Sequence, residues 1–567
     1  MKPESFNGNE SAENNPRRVV TPAAAGVLAG FFSGLILLSP RLISEVREII
    51  DNRYLQYKMF RLTGFLLQDT LLRWLLITGI FTLAGLILSY FLPRRWRDRI
   101  GRTILAGSTI RKSINRSALL ILALLVGVNV IIALDKYSTS PPGPNIILIT
   151  IDTLRADRLG CYGHGRNTSP NIDGLARKAV LFHTAITPRA KTSPAIASIL
   201  TGQYPHTNSV RTNWVPLPKK AITLQEILND KNYVTSAVVG NYVLKRKHSG
   251  LSPGFDSYDD RMLETELNRN LHEKIAGQVN LSAFNWLEEN RDKKFFLWLH
   301  YQDPHGPYTA PKNLLNSFSH QNNEYIPIDK VPEFQRLPWI EEIDGKVDAA
   351  AYRDNYDAEI LYCDKAVGGL LARLRDLGLE DDTMIILTAD HGESLGEHDY
   401  YFGHGKYAYE ASSRVPLIVY EPSIIKNPGR IEGQVNLINI TPTILDLAEI
   451  PIPLGMEGRS LLPMITGEDL SGDENIFLEK ENRIKAVRTN DWKYISNIDK
   501  STDELYYLRD DPLETENVAL ENPRQVEELK SRLHEWMNHN DRIPIGKEHY
   551  RKLKKIERKA MRSLGYL

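Results

Sequence analysis

The sequence predicts an α/β domain with a mainly parallel sheet flanked by helices, preceded by transmembrane helices and followed by a small C-terminal sheet subdomain. Three observations predict it. Short, nearly unbroken apolar runs alternate with amphipathic stretches from residue 145 onward. Each such run ends in a cluster of carboxylates and imidazoles. Three long uncharged apolar segments come before all of them.

The runs are "IILITI" (146–151), "FFLWLH" (295–300) and "MIILTA" (384–389). Continuous apolar runs of this length suit strands buried on both faces, as in a parallel sheet covered by helices. "YDAEILYCDKAVGGLLARLRDLG" (356–378) has the spacing of an amphipathic helix joining two of them. The chain has 567 residues, more than one compact core accommodates, so several parts are expected. They read as a membrane region over 1–137, a linker over 138–144, a main domain over 145–470 and a C-terminal part over 471–567.

Residues 21–39, 74–92 and 117–134 approach the roughly 20 apolar residues that cross a bilayer. The loop between the second and third is basic, with Arg94, Arg95, Arg97, Arg99, Arg102, Arg111, Lys112 and Arg116 against Asp98. The positive-inside rule makes that loop cytoplasmic. The expectation is a multi-pass membrane protein with a cytoplasmic N-terminus and an extracytoplasmic main domain. "STSPPGP" (138–144) reads as a stiff spacer. The first segment lacks a small-residue cleavage site, so it is not read as a removable signal.

Bulk charge excludes little. Lys plus Arg number 70 and Asp plus Glu number 70, which points to no polyanionic partner. Nucleic acid is not expected. Cys161 and Cys363 give no disulfide framework and read as small buried thiols.

The polar clusters carry the chemistry. The first run leads into Asp152-Thr153, the second into "YQDPHGPY" with Asp303 and His305, the third into "DHGESLGEH" with Asp390, His391, Glu393 and His398. Open α/β sheets bind ligands beyond the carboxyl ends of their strands, so three strand ends deliver these groups to one rim. Asp and His there supply oxygen and nitrogen ligands for a divalent cation. A fourth element is "RAKTSPAIASILTGQYPH" (189–206). Pro194 marks a first helical turn and Gly202 a helix end. Thr192, Ser193 and Ser198 are candidate reactive hydroxyls, and Thr192 or Ser193 sits at the helix N-terminus, where the dipole end favours anions.

These residues resemble the sulfatase family of the alkaline phosphatase superfamily. The matching pieces are "NIILITIDTLRADRLGCYG", "NTSPNIDGLA", "SPAIASILTGQYPH", "HYQDPHGPY", "LTADHGESLGEH", "GHGKYAYEASSRVPLIVY" and "ELYYLRDDPLETENVA", in family order over about 145–519. The resemblance implies an alkaline-phosphatase-like sheet and an ester-cleaving site. Fixing Pro194 and Leu200-Thr201-Gly202 places Thr192 at the nucleophile position of the family's C/S-x-P-x-R motif, with Ile196 where its Arg stands. Oxidation of Thr gives a ketone, not the aldehyde of formylglycine, so the usual sulfatase chemistry is not expected. Thr153 stands where many sulfatases carry a second Asp. The remaining set, Asp152, Thr192, Asp390 and His391, looks like the single-metal site of lipoteichoic-acid synthases and phosphoethanolamine transferases. Those relatives use a Thr nucleophile.

The resemblance therefore implies one divalent ion (Mn, Zn or Ca) at those four residues, with Thr192 as the nucleophile. His305 and His404 match positions that contact the anion or protonate the leaving group, and Lys406 matches a lysine that binds the anion. Lys191 has no motif counterpart and reads as a solvated surface lysine. Arg155 and Asp157 read as a structural ion pair, and Glu393 and His398 as turn caps. The expected activity is metal-dependent hydrolysis of sulfuric or phosphoric esters. Alternatives are transfer of a phosphoethanolamine or phosphoglycerol headgroup, or an inactive relative that binds an anionic glycan or lipid. The expected partners are the sulfate or phosphate ester, carried on a lipid or glycan, and the membrane. The C-terminal part is expected to form strands, a helix near 523–538 and a basic tail with Lys547, Arg551, Lys552, Lys554 and Lys555.

Overall fold

The computed structural model describes residues 141–540, apart from 142, 270 and 482. Strand β1 (Asn145–Ile151) is fully buried. Helix α1 (Pro170–Ala176) leads into β2 (Val180–Ile186), and helix α2 (Thr192–Thr201) follows. Strands β3 (Val234–Val239) and β4 (Ser257–Asp259) come next, then α3 (Ala276–Asn290) and β5 (Phe295–Tyr301). The long helix α4 (Ala349–Asp376) leads to β6 (Thr383–Ala389) and β7 (Arg414–Tyr420). Strands β8 (Gly429–Ile431) and β9 (Val435–Asn436) complete the sheet.

These nine strands form one sheet in the order β8-β2-β7-β6-β1-β5-β3-β4, with β9 also on β2. β1 pairs in parallel with both β6 and β5, and β3 in parallel with both β5 and β4. Only β7 runs against its neighbours β6 and β2. The three apolar runs expected to be central strands are β1, β5 and β6. Their burial on both faces explains why their sequences do not alternate. Helix α4 covers 28 residues and begins before the expected 356. Asp348 caps its start by accepting from the Ala350 N–H, and Ala349, Ala350 and Ala351 favour the helical first turn.

The membrane expectation needs correction. Residues 21–39, 74–92 and 117–134 lie outside the described residues, as does the basic tail. Among the described residues, no helix is long and apolar enough to cross a membrane. The longest of the helices named above, α4, carries Arg353, Asp354, Asp357 and Glu359 within its first turns and serves the core of the α/β domain. The multi-pass placement is therefore not supported.

The C-terminal part forms a four-stranded antiparallel sheet of β10 (Ile476–Lys480), β11 (Ile484–Arg488), β12 (Trp492–Asn497) and β13 (Thr502–Tyr507). Helix α5 (Pro523–Asn540) packs on it. Side chains alternate between the faces of a strand, and here both faces are buried. Val487, Tyr494 and Leu505 face Leu529 and Leu533 of α5, while Ala486, Ile495 and Tyr506 join Ile186 and Ala408 of the main domain.

One buried ion pair in this sheet gives an acid-stability prediction. Glu479 and Lys485 stand opposite each other on β10 and β11, with Nζ 2.7 Å from Oε2. His206 lies 3.6 Å from the other carboxylate oxygen. Burial alone would raise the Glu479 carboxyl, but His206 and Lys485 outweigh it and bring it down to about 2. A carboxylate depressed on folding stabilises above its unfolded pKa, and that stabilisation is lost as pH falls through the folded value. The window runs from about pH 4.5 to 2, and the contribution is about 3 kcal/mol. Glu479→Gln is expected to be less stable than the parent at pH 7, with the gap closing between pH 5 and 2. Urea melts across that range measure it.

Candidate active site

The sheet register builds the site. Ile151 pairs with Ala389 on one side and Tyr301 on the other, so Asp152 emerges beside Asp390 and the end of β5. The Asp152 N–H donates to the Tyr301 carbonyl, which continues the ladder by one residue. Asp152, Asp390 and His391 are fully buried. His391 Nε2 lies 3.7 Å from Asp152 Oδ1 and 3.5 Å from Asp390 Oδ2. Its Nδ1 donates to the Gly392 carbonyl at 2.9 Å, which leaves the lone pair on Nε2. The backbone N–H of Thr153 and of His391 both donate to Asp390 Oδ1. Thr153 adopts φ 57°, a costly conformation for a β-branched residue, held by Tyr356, whose hydroxyl donates to the Thr153 carbonyl at 2.6 Å.

Helix α2 starts at Thr192 and ends at Gly202 in the left-handed conformation. Thr192 Oγ1 sits 3.4 Å from His391 Nε2. The hydroxyl selected by the motif alignment is thus beside the clustered Asp and His side chains. The Ser193 N–H already donates to the Asn213 side-chain Oδ1 at 2.9 Å. Ile196, at the sequence position of the family's Arg, is fully buried and apolar.

Above these groups lie three imidazoles in a row. Ring centroids are 4.4 Å apart for His391 and His404, and 5.3 Å for His404 and His305. His305 Nδ1 donates to the Gly306 carbonyl, and His404 Nδ1 is 3.1 Å from Glu393 Oε1. Burial lowers both: His305 falls to about 4, and His404 goes well below the usual range with help from its two imidazole neighbours. Glu393 is pushed well up by burial, with the Asp152 charge adding to it.

Other expectations fare differently. Arg155 does pair with Asp157 at 2.8 Å, and also with Glu397 at 2.7 Å. Asp303 turns away from the rim: its carboxylate accepts from the Ala276 N–H at the start of α3. His398 stacks on Tyr409. Lys406 is exposed, its ammonium over the rings of Tyr400 and Tyr407. Lys191 is not a surface lysine. It is 4% exposed, and its Nζ donates to Thr212 Oγ1. Cys161 and Cys363 are both free thiols.

Sequence reasoning missed two rim residues, His300 and Asn241. His300, near the end of β5, is fully buried with Nε2 3.4 Å from Asp152 Oδ2. Asn241 follows β3, whose Thr and Ser obscured its strand character. Its Oδ1 accepts from the Val243 N–H, so its Nδ2 must face Asp152 Oδ2, at 2.5 Å. Gly240 permits this approach, since a Cβ there would lie 2.7 Å from the Lys274 carbonyl.

The donor set fits a divalent cation. Asp152, His300 and Asp390 each offer a ligand atom within 4.8 Å of the others. Asp152 Oδ1, Asp390 Oδ2 and His300 Nε2 are buried without a hydrogen-bond partner. Buried carboxylates facing one another without a cation are costly, and burial with the Asp152 charge raises Asp390 to about 6. Asn241→Ala would leave Asp152 Oδ2 without its amide donor. It is expected to weaken metal binding roughly 10–100-fold, as loss of such supporting hydrogen bonds commonly does. Competition with a chelating dye measures it.

A parallel sheet with a buried Asp/His cluster beside a hydroxyl at a helix N-terminus defines a metal-dependent ester hydrolase of alkaline-phosphatase-like architecture. Family comparison makes this specific. The Sulfatase sequence model matches residues 144–450, and the model of the N-sulphoglucosamine sulphohydrolase C-terminal region matches 396–542. The chain belongs to the sulfatase family. It is 29% identical to an ulvan-active sulfatase of Formosa agariphila, over 63% of this chain and 73% of that one. It is 26% identical to the iduronate 2-sulfatase of Mus musculus, over 66% of this chain and 90% of the relative. Among solved structures, the phosphonate monoester hydrolase of Agrobacterium radiobacter superposes with a TM-score of 0.59 at 22% identity, over 70% of this chain and 96% of that one.

Proposed function

We propose that this chain hydrolyses anionic sulfuric or phosphoric esters with Thr192, not formylglycine, as the nucleophile. The observation that carries this reading is the placement of Thr192 Oγ1 at the N-terminus of α2, 3.4 Å from His391 Nε2 and backed by Asp152 and Asp390. Relatives named for ulvan, iduronate and choline sulfate support an anionic ester, on a glycan or a small alcohol, as the substrate class.

A divalent cation held by Asp152, Asp390 and His391 would supply the charge that acidifies a neighbouring hydroxyl and neutralises the ester anion. The protein's own groups do the rest. The positive end of the α2 dipole favours an anion over Thr192, although the Ser193 and Ala195 N–H groups are already bonded. Thr192 Oγ1 loses its proton to solvent water and bonds to sulfur or phosphorus as the ester's alcohol oxygen departs. His305 or His404 protonates that oxygen; the charge of a bound anion raises these imidazoles into the range where they can donate. Water then attacks the same sulfur or phosphorus, which frees the inorganic anion and restores Thr192. A threonine has one hydroxyl, so release depends on this second attack. Phosphorus undergoes it more readily, which favours phosphoryl esters.

Steady-state assays with p-nitrophenyl sulfate, p-nitrophenyl phosphate and bis(p-nitrophenyl) phosphate, with Mn²⁺, Zn²⁺ or Ca²⁺ added singly, test the reading. Acid-quenched samples are expected to carry the ester's anion on the Thr192 peptide. Steady turnover with the modification on another residue overturns it.

A further inference from the structure

The fully buried His300 is not explained as a structural residue, because one of its ring nitrogens is satisfied and the other is not. Nδ1 is 2.8 Å from Thr150 Oγ1, its register partner on β1. That hydroxyl accepts from Trp298 Nε1 at 2.9 Å and donates toward the Leu299 carbonyl at 3.4 Å. With its proton on Leu299, Thr150 accepts from His300 Nδ1–H, and the lone pair is left on Nε2. Nε2 is buried without a hydrogen-bond partner and points at the Asp152 carboxylate. Asp152 Oδ2 already receives the shorter bond from Asn241. His391 shows the same arrangement: Nδ1 tied to a carbonyl, Nε2 turned to the two carboxylates. Buried polar atoms are almost always paired, so two imidazole lone pairs and two bare carboxylate oxygens around one point indicate a common occupant.

We propose that His300 is a protein ligand of the divalent cation, and that the set Asp152, Asp390, His391 and His300 selects zinc or manganese over calcium. The proposal rests on the metal-site reading above. Calcium takes six to eight oxygen ligands, and a set with two imidazoles matches it poorly. Imidazole with carboxylate suits zinc and manganese. Thr150 and Trp298 orient His300, as hydrogen-bonded partners orient histidine ligands elsewhere.

The test uses the full chain freed of metal by dialysis against a chelator. Electron-spin-echo spectroscopy of the Mn²⁺-loaded protein is expected to show two coupled imidazoles. His300→Gln and His391→Gln are each expected to show one. Competition titration is expected to show His300→Gln losing zinc affinity by more than about 100-fold, beyond what loss of an outer partner costs. Calcium affinity should change little. A single imidazole in the parent, or zinc affinity of His300→Gln within threefold of it, overturns the proposal and makes His300 a hydrogen-bond partner of Asp152. If the glutamine variant fails to fold, His300→Asn and the parent's imidazole count decide it. Failure of the site reading itself looks different: the parent would bind no divalent ion, or Asp390→Asn would bind it unchanged.

Discussion

Thr192→Ala is expected to lower kcat on the order of 10⁴-fold or more, while metal affinity and fold change little. The magnitude follows from the role: loss of the atom that forms the covalent bond leaves only binding and electrostatic stabilisation. The small structural effect follows from the surroundings. Thr192 is buried at the first position of α2, and its backbone is held by the helix and not by its hydroxyl. The Ala195 N–H bonds to the Lys191 carbonyl, and the Asn213 side chain takes the Ser193 N–H, whatever side chain stands at 192. Thr192→Ser keeps an alcohol at the same point and is expected to retain turnover within about tenfold. Steady-state kinetics, zinc titration and peptide mapping of acid-quenched samples measure the three quantities. Full turnover by Thr192→Ala would remove the nucleophile assignment but leave the metal cluster standing.

The contrast between what the sequence showed and what it hid has a physical basis. Asp152 and Asp390 were legible because each directly follows a strand whose apolar run announces burial on both faces, and His391 because it adjoins Asp390. Thr192 was legible because Pro194 and Gly202 bracket a helix whose first residue it is. Asn241 was hidden because β3, "VTSAVV", mixes polar residues into a strand that is nonetheless buried. His300 was hidden in the opposite way. It ended an apolar run and passed for part of it, though it turns to the rim while Asp303 turns to α3. Lys191 misled because a lysine beside a helix start is usually solvated, whereas here the 404–406 turn closes over it, with Gly405 letting the chain pass against its stem. The expected membrane placement rested on segments outside the described residues, and among the described residues no helix is long and apolar enough to cross a membrane.

Lys493→Met is expected to destabilise the fold by about 3–5 kcal/mol, the usual consequence of breaking a buried charge network by removing one partner. Lys493 is fully buried on β12, with Nζ 3.0 Å from Glu410 Oε1 and 2.9 Å from Glu514 Oε1. Arg488 grips the same Glu410 carboxylate through two nitrogens, at 3.1 and 3.2 Å. Two cations thus balance two carboxylates, and methionine fills the volume while leaving the acids facing each other. Burial already raises Glu514 to about 7, with Lys493 opposing the rise. Without that ammonium it rises further. A carboxyl raised on folding destabilises as pH climbs through its folded pKa, so the loss is expected to be larger at pH 8 than at pH 6. Denaturant melts at both values measure this. The network also reaches the site. Glu410 opens the short helix Glu410–Ser413, and the Ser412 carbonyl accepts from the Gly392 N–H at 2.9 Å. Gly392 is packed so closely that a Cβ would lie 2.3 Å from the Ala411 carbonyl, and its own carbonyl fixes the tautomer of His391. Loosening the 410–413 turn should therefore loosen His391. Lys493→Met is expected to lose zinc affinity as well as stability, although the substituted residue lies on the C-terminal sheet and offers the metal no ligand. Unchanged zinc affinity in a destabilised variant would show that the C-terminal sheet supports the fold without positioning the site.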